Sequence, residues 1–122
     1  MKSLSFIAVL FFSIFTTTTV SAQATTATPA VKYETIKVWG NCGMCKETIE
    51  DAAKKAGATS ADWNEESKEL KVSYAVKKTS SEKIQKRIAK SGYDTKDFTA
   101  NDKAYNALHG CCKYDRKEAV TN

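Results

Sequence analysis

The sequence predicts an α+β domain: an antiparallel sheet of four strands, two helices packed on one face, and a tail after the last strand. Three observations predict it. Apolar residues alternate in three separate stretches, at Ile36/Val38, Ala61/Trp63 and Leu70/Val72/Tyr74, as in half-buried strands. Between them the period changes to that of a helix at Ile49, Ala52, Ala53 and Ala56, and again at Ile84 and Ile88. The order is strand, helix, strand, strand, helix, strand, which defines a ferredoxin-like arrangement.

The elements follow in order. Lys2 precedes an apolar run from Leu4 to Phe15, broken only by Ser5 and Ser13. Val20-Ser21-Ala22 supplies the small residues of a signal-peptidase site. Residues 1–22 are therefore expected to be a signal peptide, with cleavage after Ala24 as the alternative. The run is shorter than the about 20 residues a membrane span needs, so no span is expected after cleavage. Residues 23–32 are small and polar and read as a flexible leader. The domain is expected over 33–99 and the tail over 100–122.

Glu34 to Trp39 forms the first predicted strand, and Gly40-Asn41 breaks it. The first helix runs from Cys45 to a stop at Gly57. Asn64 to Lys68 is a polar hairpin connection between the second and third strands. Thr79 and Glu82 have capping-box spacing, so Thr79 is expected to start the second helix, and Gly92 to end it. Tyr93 to Phe98 is read as a short last strand.

The formal net charge is +5, with lysines and acids interleaved and no basic block. That describes an ordinary solvated surface rather than a nucleic-acid interface. A mild positive charge can still steer the domain toward an acidic partner.

The chemistry concentrates at Cys42-Gly43-Met44-Cys45. A C-x-x-C can be a metal site, a redox pair or a structural disulfide. Here Cys45 falls in the first turn of a helix, where unpaired N–H groups favour a thiolate. Cys42 precedes it in a loop that Gly40 and Gly43 are expected to loosen. Structural zinc wants four ligands, and no His, Asp or Glu next to the pair completes such a set. Two soft sulfurs suit an ion that accepts low coordination, with Cu(I) first and Hg(II), Ag(I), Zn(II) and Cd(II) as other cargoes. Met44 either lends a thioether or is a partly exposed apolar residue.

The stretch Trp39 to Glu50, WGNCGMCKETIE, resembles the metal loop of the heavy-metal-associated domain, found in copper chaperones, transport-ATPase metal domains and periplasmic mercury-binding proteins. Glu69 to Tyr74 resembles the family's third strand, and Ala89 to Asp94 the end of its second helix. The resemblance spans about residues 33 to 99. It implies the ferredoxin-like fold, metal ligation by Cys42 and Cys45, and a supporting role for Tyr93. The family's common loop carries Gly-Met-Thr before the first cysteine, where this chain has Trp39, Gly40 and Asn41. The inward-packing methionine of that loop has no counterpart at Gly40.

The tail carries His109, Cys111 and Cys112, and resembles a Tyr…Leu…Cys-Cys-x-Tyr tail on some exported bacterial relatives. Three readings stand side by side. These residues form a secondary metal site or fold back to add ligands to the first; or one cysteine enters a disulfide, as export permits; or the cysteines only pack. A bond between the adjacent cysteines is the least attractive version, because it is strained. Tyr105, Leu108 and Tyr114 are expected to pin the tail to the domain.

The sequence therefore predicts a non-enzymatic carrier that traffics or sequesters a soft metal in the periplasm or another exported location, with a metal transporter or efflux component as its partner. A nucleophilic enzyme needs a base placed beside its nucleophile, and the single histidine, His109, lies in the tail. The alternatives are a thiol–disulfide oxidoreductase and a mercury or zinc scavenger. Against the oxidoreductase, the one proline is Pro29, in the leader, where it cannot serve as the cis-proline of a thioredoxin-like site.

Overall fold

The computed structural model describes residues 30–118. The expected signal peptide and the leader as far as residue 29 lie outside the described residues. The first strand, β1, spans Val31–Lys37 and is followed by helix α1 (Gly43–Lys55), strands β2 (Ser60–Asn64) and β3 (Glu69–Ala75), and helix α2 (Ser81–Lys90). A short helix, α3 (Asp102–Asn106), and a single 3₁₀ turn at Gly110–Cys112 make up the tail. None of the described helices is long and apolar enough to cross a membrane.

The sheet is antiparallel in the order β1-β3-β2. Val31 pairs with Ala75 and Lys32 with Tyr74. The strand thus takes two residues that the sequence reading gave to the leader, because β3 offers partners along its whole length. Alternation sends Ile36, Val38, Trp63, Leu70, Val72 and Tyr74 inward, where they meet Ile49, Ala52 and Ala53 of α1 and Ile84 and Ile88 of α2. Non-directional burial of these side chains is the main force holding the layers together, at about 1.5–3 kcal/mol for each large one.

Two expectations change. The α2 cap is Ser80, whose hydroxyl accepts the Lys83 N–H at 3.2 Å. Thr79 is buried, and its hydroxyl donates to the Ala56 carbonyl at 2.6 Å, so it ties the helix ends together and is not free to cap. The fourth strand is reduced to one antiparallel bridge between Val38 and Thr95. The Trp39 N–H donates to the Asp94 carbonyl and the Lys96 N–H to the Lys37 carbonyl, both at 2.9 Å. Beyond Thr95 the chain curls. Side chains take the backbone donors a longer strand would offer to β1: the Phe98 N–H goes to Thr95 Oγ1 and the Ala100 N–H to Asp94 Oδ1. The bridge lies on the free edge of β1, so the ferredoxin-like order survives with a vestigial edge.

The tail docks along a path that no hydrophobic periodicity marks. Gly92 turns the chain out of α2 with φ 104°. A Cβ there would fall 2.9 Å from the Ala104 carbonyl oxygen and 3.0 Å from Leu108. Tyr114 is buried and stacks on Tyr93 with ring centres 5.6 Å apart, while Tyr105 meets it edge-on at 5.1 Å. The Tyr114 hydroxyl donates to the Gly92 carbonyl at 2.7 Å and accepts the Asp94 N–H at 2.8 Å. Arg116 grips Asp94 through two nitrogens at 3.0 and 2.8 Å, and Asp102 at 2.8 Å. The three pinning residues expected from sequence do meet the domain; the Arg116 clamp was not foreseen.

Candidate metal centre

Cys42 is the N-cap of α1, with extended backbone and no capping hydrogen bond from its side chain. Cys45 is the third helical residue and is fully buried in the core cluster. The helical rise brings their sulfurs to 3.8 Å. Cys112, at the end of the tail's 3₁₀ turn, is also buried, and its Sγ lies within 4.8 Å of both others. All four cysteines are free thiols.

The N–H groups at the start of α1 face the Cys42 sulfur. The backbone N–H of Cys45 contributes most, with help from the Met44 N–H and the thiols of Cys45 and Cys112. Together they hold the Cys42 thiol below its usual pKa against the opposing effect of burial. Cys112 goes the other way: burial, and then its sulfur neighbours, push it up to about 12. The Tyr93 hydroxyl lies against Cys45 and Cys112, and its pKa rises through burial first and these thiols second.

The loop is not loose. Gly40 is buried beneath the Trp63 indole: a Cβ there would fall 2.8 Å from Trp63 Cζ2 and 3.1 Å from Ile49 Cδ1. The indole N–H donates to the Val38 carbonyl at 3.0 Å. A large side chain from β2 thus fills the space next to the loop, in place of one carried by the loop itself. A Cβ at Gly43, by contrast, would meet nothing within 4 Å.

The site is also less open than the sequence suggested, because the tail roofs it. Asn41 Nδ2 donates to the Cys111 carbonyl at 3.0 Å, which fastens the tail to the metal loop. Cys111 itself is exposed. Its Sγ lies 3.6 Å from Met44 Sδ and 3.9 Å from Cys112 Sγ. His109 is exposed at the start of the 3₁₀ turn and is outside the three-thiol group. The fold thus gathers Cys42, Cys45 and Cys112, leaves Cys111 at the rim beside Met44, and turns His109 away.

A ferredoxin-like domain with a C-x-x-C at the start of its first helix is the architecture of small metal-binding domains. The chain belongs to the heavy-metal-associated domain family, whose profile matches residues 41–94. Among solved structures it is similar to a CopZ metallochaperone, at 35% identity and a TM-score of 0.50 over 52% of this chain and 98% of that one. It is also similar to oxidized MerP from Ralstonia metallidurans CH34, at 31% identity and a TM-score of 0.51 over 54% of this chain and 94% of that one. A copper-ion-binding protein described as putative, from Bacillus anthracis str. Ames, shares the fold at 24% identity and a TM-score of 0.53, over 57% of this chain and 100% of that one. No curated protein sequence matches the chain. The family match ends at Asp94, before the tail that carries Cys112 begins.

Proposed function

We propose that the protein captures a soft thiophilic cation on Cys42 and Cys45, with Cu(I) the favoured cargo, and carries or sequesters it outside the cytoplasm. The observation that carries this reading is the pair of thiols 3.8 Å apart at the N-terminus of α1, one of them poised by helix N–H donors to lose its proton. Soft thiolates select soft ions, and a thiol must deprotonate to bind one. The likeness to a CopZ metallochaperone supports metal carriage; the softness of the two thiolates favours Cu(I) as cargo, with a thiophilic divalent ion as the second choice. The signal-like segment over residues 1–22 supports export, and a metal transporter or efflux component is the recipient that a carrier of this kind serves.

The test is anaerobic titration of the reduced, exported chain against a chelator of known affinity, with Cu(I), Hg(II) and Zn(II) in parallel. The expected result is one tightly held Cu(I) per chain, lost in Cys42→Ser and in Cys45→Ser. Failure of the reduced chain to take up any of the three ions refutes the reading. N-terminal sequencing of the protein recovered from the periplasmic fraction checks the location, with Gln23 expected as its first residue.

A further inference from the structure

We propose that Cys112, delivered by the tail, is a third thiolate ligand, so that the cargo sits in a trigonal all-sulfur site and not on the Cys42/Cys45 pair alone. This rests on the carrier reading and sharpens it.

Geometry supplies the first argument. With metal–sulfur bonds of about 2.3 Å, two sulfurs on opposite sides of one ion stand about 4.6 Å apart, and the edge of a planar triangle is about 4.0 Å. Cys42 and Cys45 stand at 3.8 Å, near the triangle's edge and short of the linear span. The Cys112 sulfur lies within 4.8 Å of both, so a contraction of under about an ångström closes the triangle on an ion.

Preorganisation supplies the second. A ligand on a mobile tail loses affinity to the cost of ordering that tail. Here the ordering is already done by groups that touch no metal. Tyr114, two residues on, is buried between Tyr93 and Tyr105, Asn41 holds the Cys111 carbonyl, and Arg116 clamps the buried Asp94. The Cys112 N–H is spent on the His109 carbonyl at 2.8 Å, which fixes the turn that aims its sulfur. Cys111, the residue before it, faces Met44 on the outside and completes no triangle.

The chemistry narrows the cargo to a soft ion content with three thiolates, monovalent copper or divalent mercury, and disfavours ions that demand four ligands. Each thiol that binds gives its proton to solvent. Release is then stepwise: an incoming thiolate that displaces Cys112 leaves the ion on Cys42 and Cys45.

The experiment is X-ray absorption on the reduced full chain loaded with one equivalent of Cu(I), and separately Hg(II), counting sulfurs per ion, with chelator competition alongside. The expected count is three in the wild type and in Cys111→Ser, and two in Cys112→Ser. The Cys112→Ser affinity should fall at least about tenfold, the lower end of what loss of even an outer-shell partner costs a metal site. A count of two in the wild type overturns the proposal and leaves the carrier reading standing, as does a count of three that persists in Cys112→Ser. Absence of any bound ion removes both. Should Cys112→Ser fold poorly, Cys112→Ala and the wild-type count decide the matter.

Discussion

The two cysteines of the loop hold the same chemical group in different surroundings, and substitution should separate them. Cys42 caps α1 without a side-chain hydrogen bond, and it is half-exposed. Serine is among the best N-caps, so Cys42→Ser should raise the stability of the metal-free protein by about 0.5–1 kcal/mol while abolishing tight metal binding. Cys45 is fully buried. Cys45→Ser sets a hydroxyl among apolar neighbours and should cost about 1–3 kcal/mol as well as the metal. Urea unfolding of the two apoproteins reads the opposite signs.

Gly40→Ala should cost about 1–3 kcal/mol by overpacking against Trp63, and much less in a Trp63→Phe background, where the crowding ring atoms are gone. A double-mutant cycle in urea isolates that coupling. The C-x-x-C was legible in the sequence because its partners are three residues apart. What fills the space at Gly40 was not, because the side chain that does so arrives from a strand more than twenty residues later.

Among the elements, the clamp between Arg116 and Asp94 sets how firmly the tail lies down. Asp94 has no side-chain exposure, whereas Arg116 is about a quarter exposed. Burial alone would raise the Asp94 pKa. The Arg116 guanidinium and the Ala100 N–H overcome it and hold the carboxyl below the usual range. A depressed carboxylate adds stability above its unfolded pKa and loses it as pH falls through its folded value. Arg116→Ala leaves that carboxylate buried and unpaired, at a cost of about 3 kcal/mol near neutral pH. The gap between variant and wild type should narrow as pH drops toward 3, because protonation removes the orphaned charge. Urea midpoints of both proteins between pH 7 and 3 measure it. Helices α1 and α2 and strands β1, β2 and β3 were readable from their periods, whereas α3 was not. The α2 cap shifted by one residue because the Thr79 hydroxyl was claimed across the helix pair. The last strand shrank because the Thr95 and Asp94 side chains intercept its backbone donors. Both are tertiary choices that local spacing does not encode.

At the scale of the whole molecule, a family domain ending at Asp94 is finished by a tail that returns to its first loop. The tail's cysteines and aromatics stand out in the sequence but their destinations do not, since a segment without a repeat carries no directional signal. The chain has two tryptophans, and they bracket the metal loop: Trp39 enters it, and Trp63 lies across Gly40 beneath it. The protein therefore carries its own optical gauge. Emission from the pair should change on ion uptake, in step with loading, and stay flat in Cys42→Ser. Occupancy could then be followed by light alone, without a label.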